Sequence, residues 1–328
     1  MDFKFKVIKI GLIALIGLVS LPVSRVIAQS LGLSVTPPIS EIMIVPGKEL
    51  IQTFTITNDG GDSMASIYII PFKAQGENGN VVLDEKNAVT ATSPYASWFS
   101  IISPVSAFGE KFYVAGGARQ DIAIKISPPP SATEKDYYFT LLYELDNKVP
   151  GGIAPVGPIN QARIGANMLI SLSKDGNPPK SLDIIEFSAP KIMDSLGKLD
   201  FNIRIANPAQ YFSKSNGQIK IDSWFGETET FTLAPLNIIS DSVRNIPCLK
   251  DEEIISCRSG SKVLVGVYKS TLEIIPDGSG EVQSKTITTI AFPFSITLGI
   301  IFILVTYRII KKSQNKTATK SFSLPDNN

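Results

Sequence analysis

The chain has 328 residues, no histidine and two cysteines. Without histidine, the Ser-His-Asp and Cys-His arrangements of nucleophilic catalysis are excluded, and a Cys/His zinc site lacks enough ligands. The overall charge of +1 is unevenly spread: residues 29–286 carry 22 Lys+Arg and 28 Asp+Glu, about −6, which argues against a nucleic-acid partner held by phosphate neutralisation.

The N-terminus reads as a targeting segment. Lys4, Lys6 and Lys9 form a basic start, residues 10–19 are apolar, and Val26-Ile27-Ala28 supplies short residues at a cleavage site. Residues 1–28 are therefore expected to be a signal peptide, cut between Ala28 and Gln29. The apolar run is too short to cross a hydrocarbon layer of about 30 Å comfortably.

From Leu31 to Lys285, β-branched and aromatic runs alternate with Gly, Pro, Asn and Asp clusters, the pattern of short antiparallel strands. Phe54 and Ile56 predict one buried face, with Thr53, Thr55 and Thr57 on the other. Asn58-Asp59-Gly60-Gly61-Asp62 predicts a turn; Asp59 and Asp62 could offer oxygens to calcium, but a hairpin accounts for them. Residues 66–72 form the next expected strand, with Pro71 suited to an edge or a bulge. Ile122, Ile124 and Ile126 give the cleanest alternation. Residues 137–143 and 166–172 complete a first unit, and Tyr137 and Tyr138 must point to opposite faces. Trp98-Phe99, Trp224-Phe225 and the tyrosines are read as core residues rather than a ligand platform.

Lys174-Asp175-Gly176-Asn177-Pro178-Pro179 reads as a stiff linker. Strands are then expected at 182–187, 199–205, 217–226, 263–268 and 270–275. The expected fold class is all-β: two immunoglobulin-like antiparallel sandwiches, residues 29–175 and 176–286, followed by one transmembrane helix. Cys248 and Cys257, both in the exported part, are expected to form a disulfide across a loop. Asp251-Glu252-Glu253 is the densest acidic run and reads as a solvated loop.

No charged residue occurs from Thr286 to Tyr307, and about 20 apolar residues span a bilayer. Residues 287–307 are therefore expected to cross the membrane. Arg308, Lys311 and Lys312 would stop transfer, and residues 308–328 would be a basic cytoplasmic tail, leaving the sandwiches outside the cell membrane.

Val35-Thr36-Pro37-Pro38-Ile39, Val45-Pro46-Gly47-Lys48 and Phe54-Thr55-Ile56-Thr57-Asn58 resemble the opening of bacterial surface immunoglobulin-like domains. With Phe201-Asn202-Ile203-Arg204-Ile205-Ala206-Asn207, Gly217-Gln218-Ile219 and Ser242-Val243-Arg244-Asn245-Ile246-Pro247, the order of parts resembles the WxL-interacting cell-surface proteins of Gram-positive bacteria. That resemblance implies a binding protein whose first domain faces peptidoglycan and whose second faces a surface protein.

The expected function is a membrane-anchored, non-enzymatic protein that displays two sandwiches to a cell-wall polymer or to a surface or secreted protein. A second reading is a membrane-tethered chaperone acting by strand addition. It calls for an exposed edge and a basic anchor in the cleft between domains, with Arg119 or Lys125 as candidates. A carboxylate-based hydrolase is a third, requiring two acids in one groove. No catalytic, cofactor-binding or metal-ligating residue is assigned.

Overall fold

The computed structural model describes residues 32–104, 106–146, 161–259, 263–277 and 281–320. The expected signal peptide, the Ala28/Gln29 cleavage point and the tail beyond residue 320 lie outside them.

The first sandwich is built from ten strands: β1 Leu33–Thr36, β2 Ile39–Ile44, β3 Leu50–Asn58, β4 Ser63–Gln75, β5 Asn80–Leu83, β6 Phe99–Ser103, β7 Phe112–Val114, β8 Arg119–Ile126, β9 Asp136–Asp146 and β10 Gln161–Leu172. One sheet has the order β1-β3-β8-β6; the other runs β2-β10-β9-β4-β5, with β7 also on β4. The alternation seen in the sequence fills the space between them. Phe54, Ile122, Ile124 and Ile126 are fully buried, facing Ile67, Phe139, Met168 and Ile170 of the opposite sheet within one apolar cluster. Trp98 and Phe99 lie in that core, packed edge-on to Tyr137 and Phe139 respectively.

The second sandwich contains β11 Asp183–Ser188, β12 Ile192–Asp194, β13 Asn202–Asn207, β14 Ser213–Ser223, β15 Thr228–Leu233, β16 Asn237–Ile238, β17 Ser242–Asn245, β18 Cys248–Lys250, β19 Glu253–Ile255, β20 Gly266–Pro276 and β21 Gln283–Phe292. Its small sheet is β11-β13-β17, and its large one is β12-β21-β20-β14-β15-β18-β19, with β16 on β14. Cys248 and Cys257 are bonded to each other and buried among Ile203, Leu233 and Ile246. Asp251 and Glu252 form the tip between β18 and β19, both with positive φ, so the acidic run is a hairpin turn.

Pro71 sits at a locally open edge, as expected: β9 pairs with β4 there, while on the other side β7 reaches only residues 63–65 and β5 only 72–75. Other expectations need correction. The strands expected at 263–268 and 270–275 are one strand, β20, since Lys269 continues the ladder opposite Thr288. The uncharged run at 287–307 is divided. Residues 287–292 finish β21, where Ile287, Thr289 and Ala291 turn inward, and helix α1, Phe294–Lys320, begins after Pro293. A branched apolar run suits strand and helix alike, so composition alone cannot place that boundary. Within α1, Phe294–Lys312 is long and apolar enough to cross a membrane and has no residue buried by the sandwiches. Arg308, Lys311 and Lys312 are part of this helix rather than of an irregular tail.

Candidate protein-binding edge and the cleft between the units

The edge of the large sheet in the first sandwich is half covered. Strand β2 pairs in parallel with 167–172 of β10, and β9 pairs with all of β10 from Gln161 to Ser171. Among the described residues no strand pairs with 161–166 on the side away from β9. The cause lies in Pro37-Pro38. Continued in register, these residues would face Gly165 and Ala166, but proline has no N–H to give to a ladder. The chain instead crosses to the other sheet, where β1 pairs with β3. Asn167 donates its N–H to Pro38 O at 2.9 Å, and Ser173 donates to Ile44 O at 3.3 Å. Because backbone groups alternate sides along a strand, the N–H and C=O groups of Arg163 and Gly165 also point to the β2 side, where none of the described strands meets them. Ala162 and Ile164 face the core, whereas Arg163 and Gly165 are exposed.

The outer face of the same sheet becomes the joint with the second sandwich. Asp136 is its buried hub. One oxygen accepts from Ser171 Oγ at 2.6 Å; the other accepts from Tyr138 OH at 2.9 Å and from the Phe212 N–H at 2.5 Å. Burial pushes the Asp136 carboxyl above its ordinary range, against the pull of these donors. The Tyr138 hydroxyl also accepts from the Ser240 N–H at 2.9 Å, and burial beside Asp136 drives its pKa up. Thus Tyr137 packs on the core while Tyr138 is covered by the neighbouring unit, as two opposite faces require. Tyr211 OH donates to Leu172 O at 2.9 Å. Lys214 and Asn237 of the second unit donate to the two oxygens of Glu41 at 2.7 and 2.8 Å.

On the far side of the joint, Arg204 forks onto Glu77, with Nε 2.7 Å from Oε2 and Nη2 on Oε1, while Nη1 reaches Glu186 at 3.2 Å. Hydrogen bonding to Arg204 holds the Glu77 carboxyl below its usual range; Ser188 and Arg204 do the same for Glu186. These are two acids in one place, as a hydrolase would require. Both are pushed the same way, whereas acid and base roles need pKa values driven apart.

Between the joint's contacts lies a cavity of about 100 Å³ bounded by Ile39, Phe72, Gly79, Asn167, Leu169 and Arg244. Arg244 Nη1 donates to Asn237 O, its Nε is buried without a hydrogen-bond partner, and no salt bridge to it is present among the described residues. Burial pulls its pKa down. Its guanidinium crosses Gly79, where an added Cβ would push it aside and where the positive φ favours glycine. Asn167, the first residue of β10 that β2 covers, lines this cavity, so the open edge and the cavity meet there.

The other sequence candidates fall elsewhere. Arg119 lies opposite Thr57 and Lys125 opposite Ile51 in the four-stranded sheet, with Lys125 3.6 Å from Glu49. Neither joins the cleft, so neither can anchor a group bound there. Asp59-Gly60-Gly61-Asp62 forms the turn after β3, held by Asn58 Nδ2 on Gly61 O and by Gly60 N–H on Asn58 Oδ1, each 3.0 Å. Trp224 and Phe225 are 75% and 72% exposed on the β14–β15 turn, contrary to the core reading. Periodicity does not single out Arg244, Asp136 or Glu77, because each meets a segment distant in sequence, Gly79, Phe212 and Arg204 respectively; the prolines that open β10 are the one local signal.

No family model and no curated protein matches the chain, so the resemblance to WxL-interacting proteins rests on the quoted segments alone. Solved structures do align. The class 5 fimbriae chaperone CfaA is 10% identical, with 80% of this chain and 100% of that chain covered and a TM-score of 0.38. The E. coli chaperone DraB is 12% identical, with 78% and 98% covered and a TM-score of 0.33. The SafB chaperone, solved with the Salmonella enterica pilin SafA, matches at 10% identity, with 78% and 95% covered and a TM-score of 0.35. At these scores the likeness carries no argument about what this chain binds; the sandwich architecture rests on its own strand pairing.

Proposed function

We propose that this chain is a membrane-anchored, extracytoplasmic, non-enzymatic protein that binds a secreted or surface polypeptide by strand addition to β10. The observation that carries the reading is the half-covered edge: Arg163 and Gly165 offer aligned backbone donors and acceptors, and no strand takes them among the described residues. An incoming strand would gain main-chain hydrogen bonds there. Its end would reach the cavity at Asn167, where the Arg244 guanidinium suits a carboxylate. The strand-addition reading made from sequence is kept, and its anchor moves from Arg119 or Lys125 to Arg244. Helix α1 would hold the protein in the membrane with Arg308, Lys311 and Lys312 on the cytoplasmic side.

Display to a cell-wall polymer has less support. Sugar platforms use exposed stacked aromatics; Trp98, Tyr137 and Phe139 pack on the core of the first sandwich, and the exposed Trp224 and Phe225 belong to the second, with no stacking between them among the described ring contacts.

Photo-crosslinking on intact cells tests the proposal. A crosslinker at Arg163 should capture a secreted polypeptide, and one at Lys125 on the opposite sheet should not. Equal capture at both positions, or none at Arg163, would overturn it. Replacement of Arg244 by Gln should weaken capture at Arg163 while costing only the Asn237 hydrogen bond in stability, about 1 kcal/mol in the melt.

A further inference from the structure

One end of the second sandwich gathers apolar side chains around the start of α1. Strand β14 ends at Ser223 opposite Tyr268, and β20 begins at Gly266 opposite Ala291. The β14–β15 turn, the start of β20, the end of β21 and the start of α1 therefore share that end. Direct contacts fix the arrangement. Trp224 donates its N–H to Val267 O at 2.9 Å, and a Cβ built on Gly266 would lie 3.6 Å from the Phe225 ring and 3.7 Å from Trp224 Cβ. Ser195 N–H donates to Phe292 O at 3.1 Å, and the Ser295 N–H at the head of α1 donates to Asp194 Oδ2 at 2.7 Å.

The side chains on this end are exposed and large: Trp224 75%, Phe225 72%, Leu196 60%, Val263 59% and Phe292 48%. A single residue, Pro293, separates β21 from α1, and Asp194 ties the helix start to the sandwich. No slack is available to lift this end away from the surface through which α1 would pass. Clustered apolar exposure on a folded domain marks an interaction surface, and tryptophan favours the boundary between headgroups and acyl chains.

We infer that this end of the second sandwich docks on the outer surface of the lipid bilayer, with Trp224 and Phe225 seated in the headgroup region. The inference rests on the reading of α1 as a membrane span. The docked sandwich stands in a fixed attitude, which holds β10 and the Arg244 cavity at a set distance from the membrane instead of letting them swing on a tether.

The test uses the full chain in phosphatidylcholine nanodiscs, with and without bromine on the acyl chains near the headgroups. The chain has two tryptophans, so comparison of the native protein with a Trp224→Phe variant isolates the Trp224 emission from that of buried Trp98. Trp224 replaces no core contact, so the variant folds. The expected result is a blue-shifted Trp224 emission that brominated lipid quenches, with the Trp98 emission unchanged. Unquenched Trp224 emission in a chain that resists alkaline extraction from membranes would overturn the docking and leave α1 as a span. Release of the chain by alkali would overturn both.

Discussion

The two halves of β10 share β9 on one side and differ on the other. In both, even-numbered residues point into the core. At 167–172 the opposite edge is sealed by β2, and the outer face is buried by the second sandwich, so that Leu169 and Ser171 are as hidden as the core residues between them. At 161–166 the edge meets no strand among the described residues, and Arg163 and Gly165 are exposed. The difference is not a property of β10's own sequence. It is imposed by two prolines some 125 residues earlier, which end one ladder and send the chain to the other sheet. An edge strand left open is an aggregation hazard unless a partner uses it, which is why the open half, rather than the closed one, is the place to look for binding.

The same substitution in both halves breaks the comparison most sharply. Leu169→Pro removes an N–H that faces β2 and a buried side chain, and should cost about 3 kcal/mol or more in denaturant unfolding. Arg163→Pro removes an N–H that no described strand accepts, together with surface ion pairs to Glu85 and Glu144, and should cost about 1 kcal/mol while abolishing partner capture. Similar losses at the two positions would mean that 161–166 is paired after all.

Next in size is the joint that seals the second half. Asp136→Ala strands the Ser171 and Tyr138 hydroxyls and the Phe212 N–H, for an expected loss of about 2–4 kcal/mol. Asp136→Asn should cost less, because burial already favours the uncharged form and one oxygen still accepts. If Asn proves as damaging as Ala in thermal melts, charge rather than hydrogen bonding holds the hub.

Reduction of Cys248–Cys257 should destabilise the second sandwich by about 2–3 kcal/mol through loop entropy, while hydrogen exchange in β3, β8 and β10 stays unchanged. Loss of protection in β10 would show that the joint transmits unfolding from one unit to the other.

The smallest effect expected is on pH. The Glu77 carboxyl is held below its ordinary value of 4.5 by Arg204, so the contact contributes fully above that pH and is lost as pH falls through the lower folded value. The Asn245 N–H, bonded to Glu77 O at 2.8 Å, should then lose protection in acid, measured against its intrinsic exchange rate at each pH. The Asp136 carboxyl is shifted the other way, so its ionisation is a penalty that acidification relieves. A larger loss of protection at the Phe212 N–H than at Asn245 under acid would reverse that assignment.

What the sequence determined by itself is whatever repeats locally. A period of two placed Ile122, Ile124 and Ile126 in the core and set the two tyrosines of β9 on opposite faces. The cysteines lie nine residues apart in sequence and are bonded, and the uncharged C-terminal run contains a helix fit for a bilayer. Only the tertiary structure decided where that run stops being strand, since the β20 ladder claims residues 287–292 as soon as it is present. Tertiary structure also decided which half of β10 stays open among the described strands, that Arg244 is buried away from the described acids, and which aromatic pair is exposed. Each of these depends on neighbours brought from far along the chain, and side-chain periodicity carries no record of which strand lies alongside.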